Sequence, residues 1–119
     1  MKQFRRADRV GEEILRIISR LFEGEVTGNW KGLVTFTQVR LTGDLRNATV
    51  YFSHLGENEE LPTVVEFFQR ENKQIRRLVG RQLRIRHIPE LNFKFDPSIQ
   101  EGIKIERLLN EIKSDKDNS

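Results

Sequence analysis

Two hydrophobic periods alternate along this chain, and their order restricts the folds that it can adopt more than any other feature. Between Arg5 and Phe22 the apolar residues recur at the spacing that places them on one face of a helix. Two strand-like segments follow, Leu33 to Leu41 and Ala48 to His54, joined by the turn residues Thr42-Gly43-Asp44. The first half of the chain therefore predicts an amphipathic helix followed by a β-hairpin.

The first strand contains an irregularity, because its apolar alternation slips between Phe36 and Val39. Such a slip indicates either a strand that is buried on both faces or a β-bulge. The stretch before this strand, Glu23 to Gly32, is rich in glycine and predicts a loop. Within that loop, Trp30 is expected either to pack over the edge of the core or to stack on a nucleobase.

The helical period returns after an acidic loop, Gly56 to Glu60. It has two parts, one centred near Val65 and one near Leu78, and the sequence leaves open whether Arg70 to Gln74 bends the chain between them. Pro89 to Asp96 then predicts a third strand. The last apolar positions predict a final helix and are Ile105, Leu108, Leu109 and Ile112.

Together these elements predict an α+β domain. Their order is helix, strand, strand, helix, helix, strand and C-terminal helix, and we expect the helices to cover one side of a small three-stranded mixed sheet. A length of 119 residues fits a single core. We assign residues 1–113 to this domain and residues 114–119 to a flexible charged tail.

The cysteine content bounds the chemistry that the chain can support. There is no cysteine, which excludes disulfides and thiolate metal sites and fits a reducing compartment. The start of the chain has no long apolar run, so we expect neither a signal peptide nor a membrane segment. The expected location is the cytoplasm.

Residues that could catalyse a reaction are few. His54 and His87 have no acid or second histidine at ligand spacing, so neither a metal site nor a general base is expected. Asp44 and Asp96 lie in turn sequences and are expected to bond nearby groups of the turn. The sequence also lacks paired catalytic carboxylates, glycine-rich phosphate motifs and nucleophile elbows. We therefore predict a protein that is not an enzyme and needs no cofactor.

The strongest functional feature is a run of basic residues between Arg70 and Arg86 that contains a single acid, Glu71. On a helical wheel a group of them shares one face, with Arg76 beside it. That group is Lys73, Arg77, Arg81 and Arg84. Solvated helices usually mix both signs of charge, so this crowding predicts an anionic partner, with a plain solvated face as the alternative.

Gly80 lies in the middle of this basic face, where a glycine costs about 1 kcal/mol relative to alanine. One physical reason is a backbone that an RNA strand approaches closely, while guanidinium groups bind its phosphates. The RNA-binding residues predicted in this region are Lys73, Arg76, Arg77, Gly80, Arg81, Arg84 and Arg86. The competing hypothesis is a protein-interaction module whose basic helix binds an acidic protein patch.

A second, smaller basic patch lies near the start of the chain and consists of Arg5, Arg6 and Arg9. Glu12 and Glu13 dilute it, which leaves an RNA contact and a solvated surface equally open. The net charge of +3, from 21 basic and 18 acidic residues, does not by itself indicate nucleic acid. The distribution of the charges does.

Several segments resemble the ribosome-binding factor A family. They are Arg9-Val10, the hairpin sequence from Val39 to Ser53, the helical sequence from Ile75 to Gly80, and Leu83 to Phe93. The last of these reads Leu-Arg-x-Arg-x-x-Pro-Glu-Leu-x-Phe and is the most specific. The resemblance covers Arg5 to Ile112.

This resemblance implies a type II KH-like fold, in which a kinked helix pair follows the hairpin and the third strand lies between the other two or beside them. It also implies binding to the small ribosomal subunit and its rRNA during late maturation, with growth in the cold depending on it. Release when other factors complete maturation, among them a GTPase, is implied as well. Ribosomal proteins are further candidate partners, and we expect a monomer.

One position departs from the pattern. KH domains clamp single-stranded nucleic acid with a GXXG loop between two helices, and the family has an Ala-x-Gly-like kink there. This chain has Glu71-Asn72-Lys73 instead, and Asn72 in a left-handed conformation could supply the bend. We therefore expect binding to depend on charge and shape more than on base identity.

Overall fold

The computed structural model describes the backbone of residues 2–23, 28, 30, 32–98 and 105–112, and their side chains except those of residues 2–5 and 58. The elements are α1 (Lys2–Glu23), β1 (Leu33–Leu41), β2 (Asn47–Leu55), a 3-10 turn (Asn58–Glu60), α2 (Leu61–Gln82) and β3 (Glu90–Phe95). Residues 105–112 are also helical. The predicted α+β class is confirmed, and the two expected middle helices form the single helix α2.

Helix α2 runs without interruption through the position where a bend was considered. Asn72 lies inside it, and its side-chain amide donates a hydrogen bond of 2.9 Å to the carbonyl of Leu91 in β3. Among the described non-glycine residues only Leu45 has a positive φ, so the left-handed conformation considered for Asn72 is wrong. The helix ends where Leu83 becomes extended, with φ −91° and ψ 119°.

The sheet has the order β1-β2-β3. β1 pairs with β2 in antiparallel register, and β3 pairs with β2 in parallel register from Asn47 opposite Glu90 to Phe52 opposite Phe95. Of the two arrangements that the resemblance implied, the third strand is therefore beside the other two. The register shifts between Phe36 and Gln38, which confirms a β-bulge in β1.

The core lies between one face of this sheet and the apolar faces of α1 and α2. Phe68 of α2 is 1 % exposed and lies at its centre. Its ring stacks on Phe93 with centroids 4.4 Å apart and meets Phe52 edge-on at 4.8 Å. Trp30 is half-buried and meets the Phe67 ring at 5.0 Å, so the structure places it over the edge of the core.

Two aspartates fix turns, as the sequence predicted. The Asp44 carboxylate accepts hydrogen bonds from the Thr42 hydroxyl at 2.6 Å and the Arg46 N–H at 3.0 Å, and these bonds lower its pKa. Asp96 accepts from the Ser98 N–H at 3.0 Å and from the Thr37 hydroxyl at 2.8 Å, which lowers its pKa too. Because Thr37 is on β1, the Asp96 contact passes over the central strand.

The C-terminal helix is present as predicted, but its apolar face is not covered by the described residues. Ile105, Leu108, Leu109 and Ile112 are between 54 and 58 % exposed. None of the described helices combines the length and apolar character that crossing a membrane would require. The predicted tail, residues 114–119, lies outside the described residues.

Candidate RNA interface

The segment between α2 and β3 organises the basic residues of this protein. Residues 85–88 form a short ridge that is followed by Pro89 and the start of β3. The sequence pattern placed Arg84 on the basic face of a helix. This is wrong, because α2 ends at Gln82, before both Arg84 and Arg86. Both are exposed; Arg84 precedes the ridge and Arg86 lies in it.

A groove lies between α2 and this ridge, and we call it the α2 groove. Its volume is about 730 Å³. The lining residues are Asn72, Lys73, Arg76, Arg77, Gly80, Arg81, Arg86, His87, Ile88 and Glu90. The structure thus brings six of the seven predicted RNA-binding residues of this region to one groove, and only Arg84 does not line it.

Lys73, Arg77 and Arg81 present their charges on the helix side of the α2 groove. All three are exposed, and their spacing of four residues places them one turn apart along α2. The acid that lines the groove, Glu90, is 3.5 Å from Nη2 of Arg76. The groove is therefore strongly positive, and guanidinium groups in such a row suit phosphate oxygens.

Arg76 differs from its neighbours because it holds the ridge against the helix. Its Nε donates to the carbonyl of Pro89 at 3.0 Å, and its Nη2 donates to the carbonyl of Ile88 at 2.6 Å. The side chain is 38 % exposed. Arg76 thus shapes the groove through the protein backbone, and a contact of Arg76 with RNA stays a prediction.

Replacement of Arg76 with methionine should lower the free energy of unfolding by about 1–3 kcal/mol, because two backbone carbonyls lose a charged donor. The matched control is Arg77→Met on the same helix. Arg77 is exposed and donates to Gln74 on its own helix, so its replacement should cost less than about 0.5 kcal/mol. Urea unfolding of both variants measures the difference. Equal destabilisation would contradict the anchoring role.

Gly80 allows the ridge to approach the helix. A Cβ at this position would lie 3.0 Å from Cγ1 and 3.3 Å from Cδ1 of Ile88, a distance at which the isoleucine would have to move. The close neighbour in the structure is therefore the ridge itself, where the sequence suggested an RNA strand. An RNA contact at the Gly80 backbone stays a prediction.

The N-terminal patch divides in the structure. Arg6 lines a second cleft of about 550 Å³ on the other flank of the ridge, together with Arg46, Arg86 and His87. Arg9 is exposed on α1 but lines neither this cleft nor the α2 groove. The side chain of Arg5 lies outside the described residues.

Arg46 is a basic residue of this region that sequence reasoning missed. It stands alone in the turn between β1 and β2, so no run or helical spacing distinguished it. Only the pairing of β2 with β3, which joins the Glu90 N–H to the Arg46 carbonyl at 2.8 Å, brings the turn to the ridge. Among the described residues no group of three or more His, Cys, Asp or Glu is placed to hold a metal ion.

Comparison with known proteins identifies the family of this chain. The model of the family described as ribosome-binding factor A matches residues 6–109. The chain belongs to the ribosome-binding factor A family. It is 40 % identical over 113 residues to the ribosome-binding factor A of Natranaerobius thermophilus, covering 95 % of this chain and 86 % of the relative. The ribosome-binding factor A of Geobacter sulfurreducens is 35 % identical, covering 95 % of this chain and 96 % of the relative.

Solved ribosome-binding factor A structures share the fold. The solution NMR structure of a Thermotoga maritima protein assigned to ribosome-binding factor A superposes with a TM-score of 0.65 at 31 % identity, covering 75 % of this chain and 85 % of that one. The crystal structure of ribosome-binding factor A from Thermus thermophilus gives a TM-score of 0.61 at 21 % identity, covering 74 % of this chain and 93 % of that one. A homology model of the Thermus thermophilus factor, fitted into a cryo-EM map of its complex with 30S, gives a TM-score of 0.62 at 21 % identity, covering 73 % of this chain and 91 % of that one. The KH-like description of this chain is consistent with these neighbours.

Proposed function

We propose that this protein binds the free small ribosomal subunit through its rRNA during late maturation and supports growth in the cold. The observation that carries the proposal is the α2 groove, in which exposed Lys73, Arg77 and Arg81 face the ridge. A row of cations beside a groove fits an RNA backbone, whose phosphates lie at regular intervals.

Two further observations support the same function. The family to which the chain belongs is described as ribosome-binding factor A, and a homology model of the Thermus thermophilus relative was fitted into a map of its complex with 30S. The proposal includes action in the cytoplasm as a monomer and without catalysis. Ribosomal proteins and a GTPase that acts in maturation are the further partners proposed.

The test is co-sedimentation of the protein with purified small subunits and with joined ribosomes at two salt concentrations. We expect binding to free small subunits, weaker binding to joined ribosomes, and loss of binding at high salt. If about five cations neutralise phosphates, the logarithm of the binding constant should fall with that of the salt concentration at a slope of about −4 to −5.

The same complexes distinguish RNA from an acidic protein as the partner of the basic helix. Complexes isolated from a cell extract are treated with RNase before a second sedimentation. Release of the protein supports the proposed function. Retention on an RNase-resistant complex, together with no binding to purified small subunits, would contradict it and favour the protein-interaction module.

A further inference from the structure

The second flank of the ridge carries a cleft, which we call the turn cleft. Three arginines line it, each from a different part of the fold. They are Arg6 of α1, Arg46 of the turn between β1 and β2, and Arg86 of the ridge. All three are exposed. The ridge therefore has cations on both of its sides.

Two acids, Asp44 and Glu90, also line the turn cleft. The carboxylate of Asp44 accepts the Thr42 hydroxyl and the Arg46 backbone N–H. Glu90 forms its ion pair with Arg76, on the side of the α2 groove. Three exposed arginines against these two carboxylates leave the cleft with one positive charge in excess, which suits an anion.

The backbone that presents Arg46 is held firmly. Leu45 has a φ of 62°, a conformation that costs energy in a bulky residue other than glycine. Its N–H donates to the Thr42 carbonyl at 2.9 Å, and both backbone groups of Arg46 are bonded, the N–H to Asp44 and the carbonyl to the Glu90 N–H. Strain of this kind occurs at binding sites, where the surrounding structure imposes it.

The lining of the two clefts indicates which form of RNA they suit. Single-stranded RNA is usually held by aromatic rings that stack on its bases. Among the described residues that line the α2 groove and the turn cleft the one such ring is the imidazole of His87, which is exposed and lies on the ridge between them, and there is no Phe, Tyr or Trp. Cations on either side of the ridge instead match the two backbones that border the wide, shallow minor groove of an RNA helix.

We propose that the turn cleft is a second phosphate-binding site and that the ridge lies along the minor groove of an RNA stem, with one strand in each cleft. The inference rests on the proposed function, because it takes the α2 groove to be one of the two sites. It adds the RNA form that is recognised and assigns a role to Arg46.

Binding of fluorescent RNAs by the full chain tests this inference. One RNA is a hairpin with a stem of about 16 base pairs, the length that a double-stranded-RNA-binding domain spans, and the other is an unpaired strand of equal length. The variants are Arg46→Glu for the turn cleft and Arg77→Glu for the α2 groove. Lys94→Glu is the matched control, because Lys94 is exposed on β3 opposite Tyr51, on the sheet face away from the helices.

We expect Arg46→Glu to weaken binding to the stem by about tenfold or more and binding to the single strand by less than about twofold, with Lys94→Glu close to the wild type on both. Arg46→Gln should reduce the salt slope on the stem by about 1. The hydrogen bonds given above for Arg46 use its backbone, so these changes leave them in place. Circular dichroism confirms folding, and Arg46→Lys should restore stem binding.

The outcomes separate this inference from the proposed function. If Arg77→Glu weakens binding while Arg46→Glu behaves like Lys94→Glu, the turn cleft is not a phosphate site, and the proposed function stands. If Arg46→Glu weakens stem and single strand equally, the two-strand arrangement is wrong. If the wild type binds neither RNA and no small subunits, the proposed function fails with it.

Discussion

Reversal of the charges of Lys73, Arg77 and Arg81 together should weaken binding to the free small subunit by on the order of 100-fold or more. The three side chains are exposed along the α2 groove, so each substitution replaces an attraction to phosphate with a repulsion. Arg76 is left unchanged because its bonds to the carbonyls of Ile88 and Pro89 hold the ridge. Sedimentation binding at low and moderate salt measures the loss.

A control with the same change in charge makes this result specific. Arg40, Lys94 and Arg107 are exposed and lie outside both clefts. Their replacement with glutamate should reduce binding by less than about tenfold, through the long-range field alone. Equal losses in the two triple variants would mean that net charge decides binding. Full binding by the α2 variant would place the interface on another face.

Phe68→Ala should destabilise the fold by about 3–5 kcal/mol, the largest loss that we expect from a single substitution. The side chain is 1 % exposed. Its ring contacts those of Phe22, Phe36, Phe52 and Phe93 at centroid distances between 4.4 and 5.9 Å. Removal leaves a cavity that rings from α1 and all three strands border. Small domains have about 5–15 kcal/mol of stability in total, so thermal and urea unfolding should detect the change readily.

Val65→Ala, one turn earlier on α2, is the comparison for this variant. Val65 is 36 % exposed, so its truncation should cost less than about 1 kcal/mol. A loss in Phe68→Ala no larger than that in Val65→Ala would show that the aromatic cluster is not the centre of the core. Phe68→Leu, which retains most of the volume, should lie between the two.

The sequence predicted the elements well because hydrophobic spacing reports directly on burial. The helical residues expected to face the core, such as Ile14 and Ile18, are fully buried. The slip between Phe36 and Val39 located the bulge that the register contains. These features are local, so a window of neighbouring residues contains the information.

The errors at the site have a physical origin in contacts between distant residues. Leu83 satisfies the helical period and is buried at 4 %, yet it is extended, because a residue can fill the core just after leaving a helix. The helical wheel therefore extended the helix too far and placed Arg84 on its basic face, although α2 ends at Gln82. Likewise, the packing of Ile88 on Gly80 and the approach of Arg46 to the ridge depend on strand pairing that no spacing reveals.

The parallel pairing of β3 with β2 has a consequence for the order in which the protein matures during its own synthesis. Asn47 pairs with Glu90, so α1, the hairpin and α2 leave the exit tunnel before β3 can join the sheet. Both clefts are lined by the ridge and by Glu90, and Arg76 finds its backbone acceptors only when Ile88 and Pro89 arrive. A nascent chain that ends at Gln82 therefore contains all of α2 but neither cleft, and the proposed RNA-binding surface is completed only when the last strand closes the sheet.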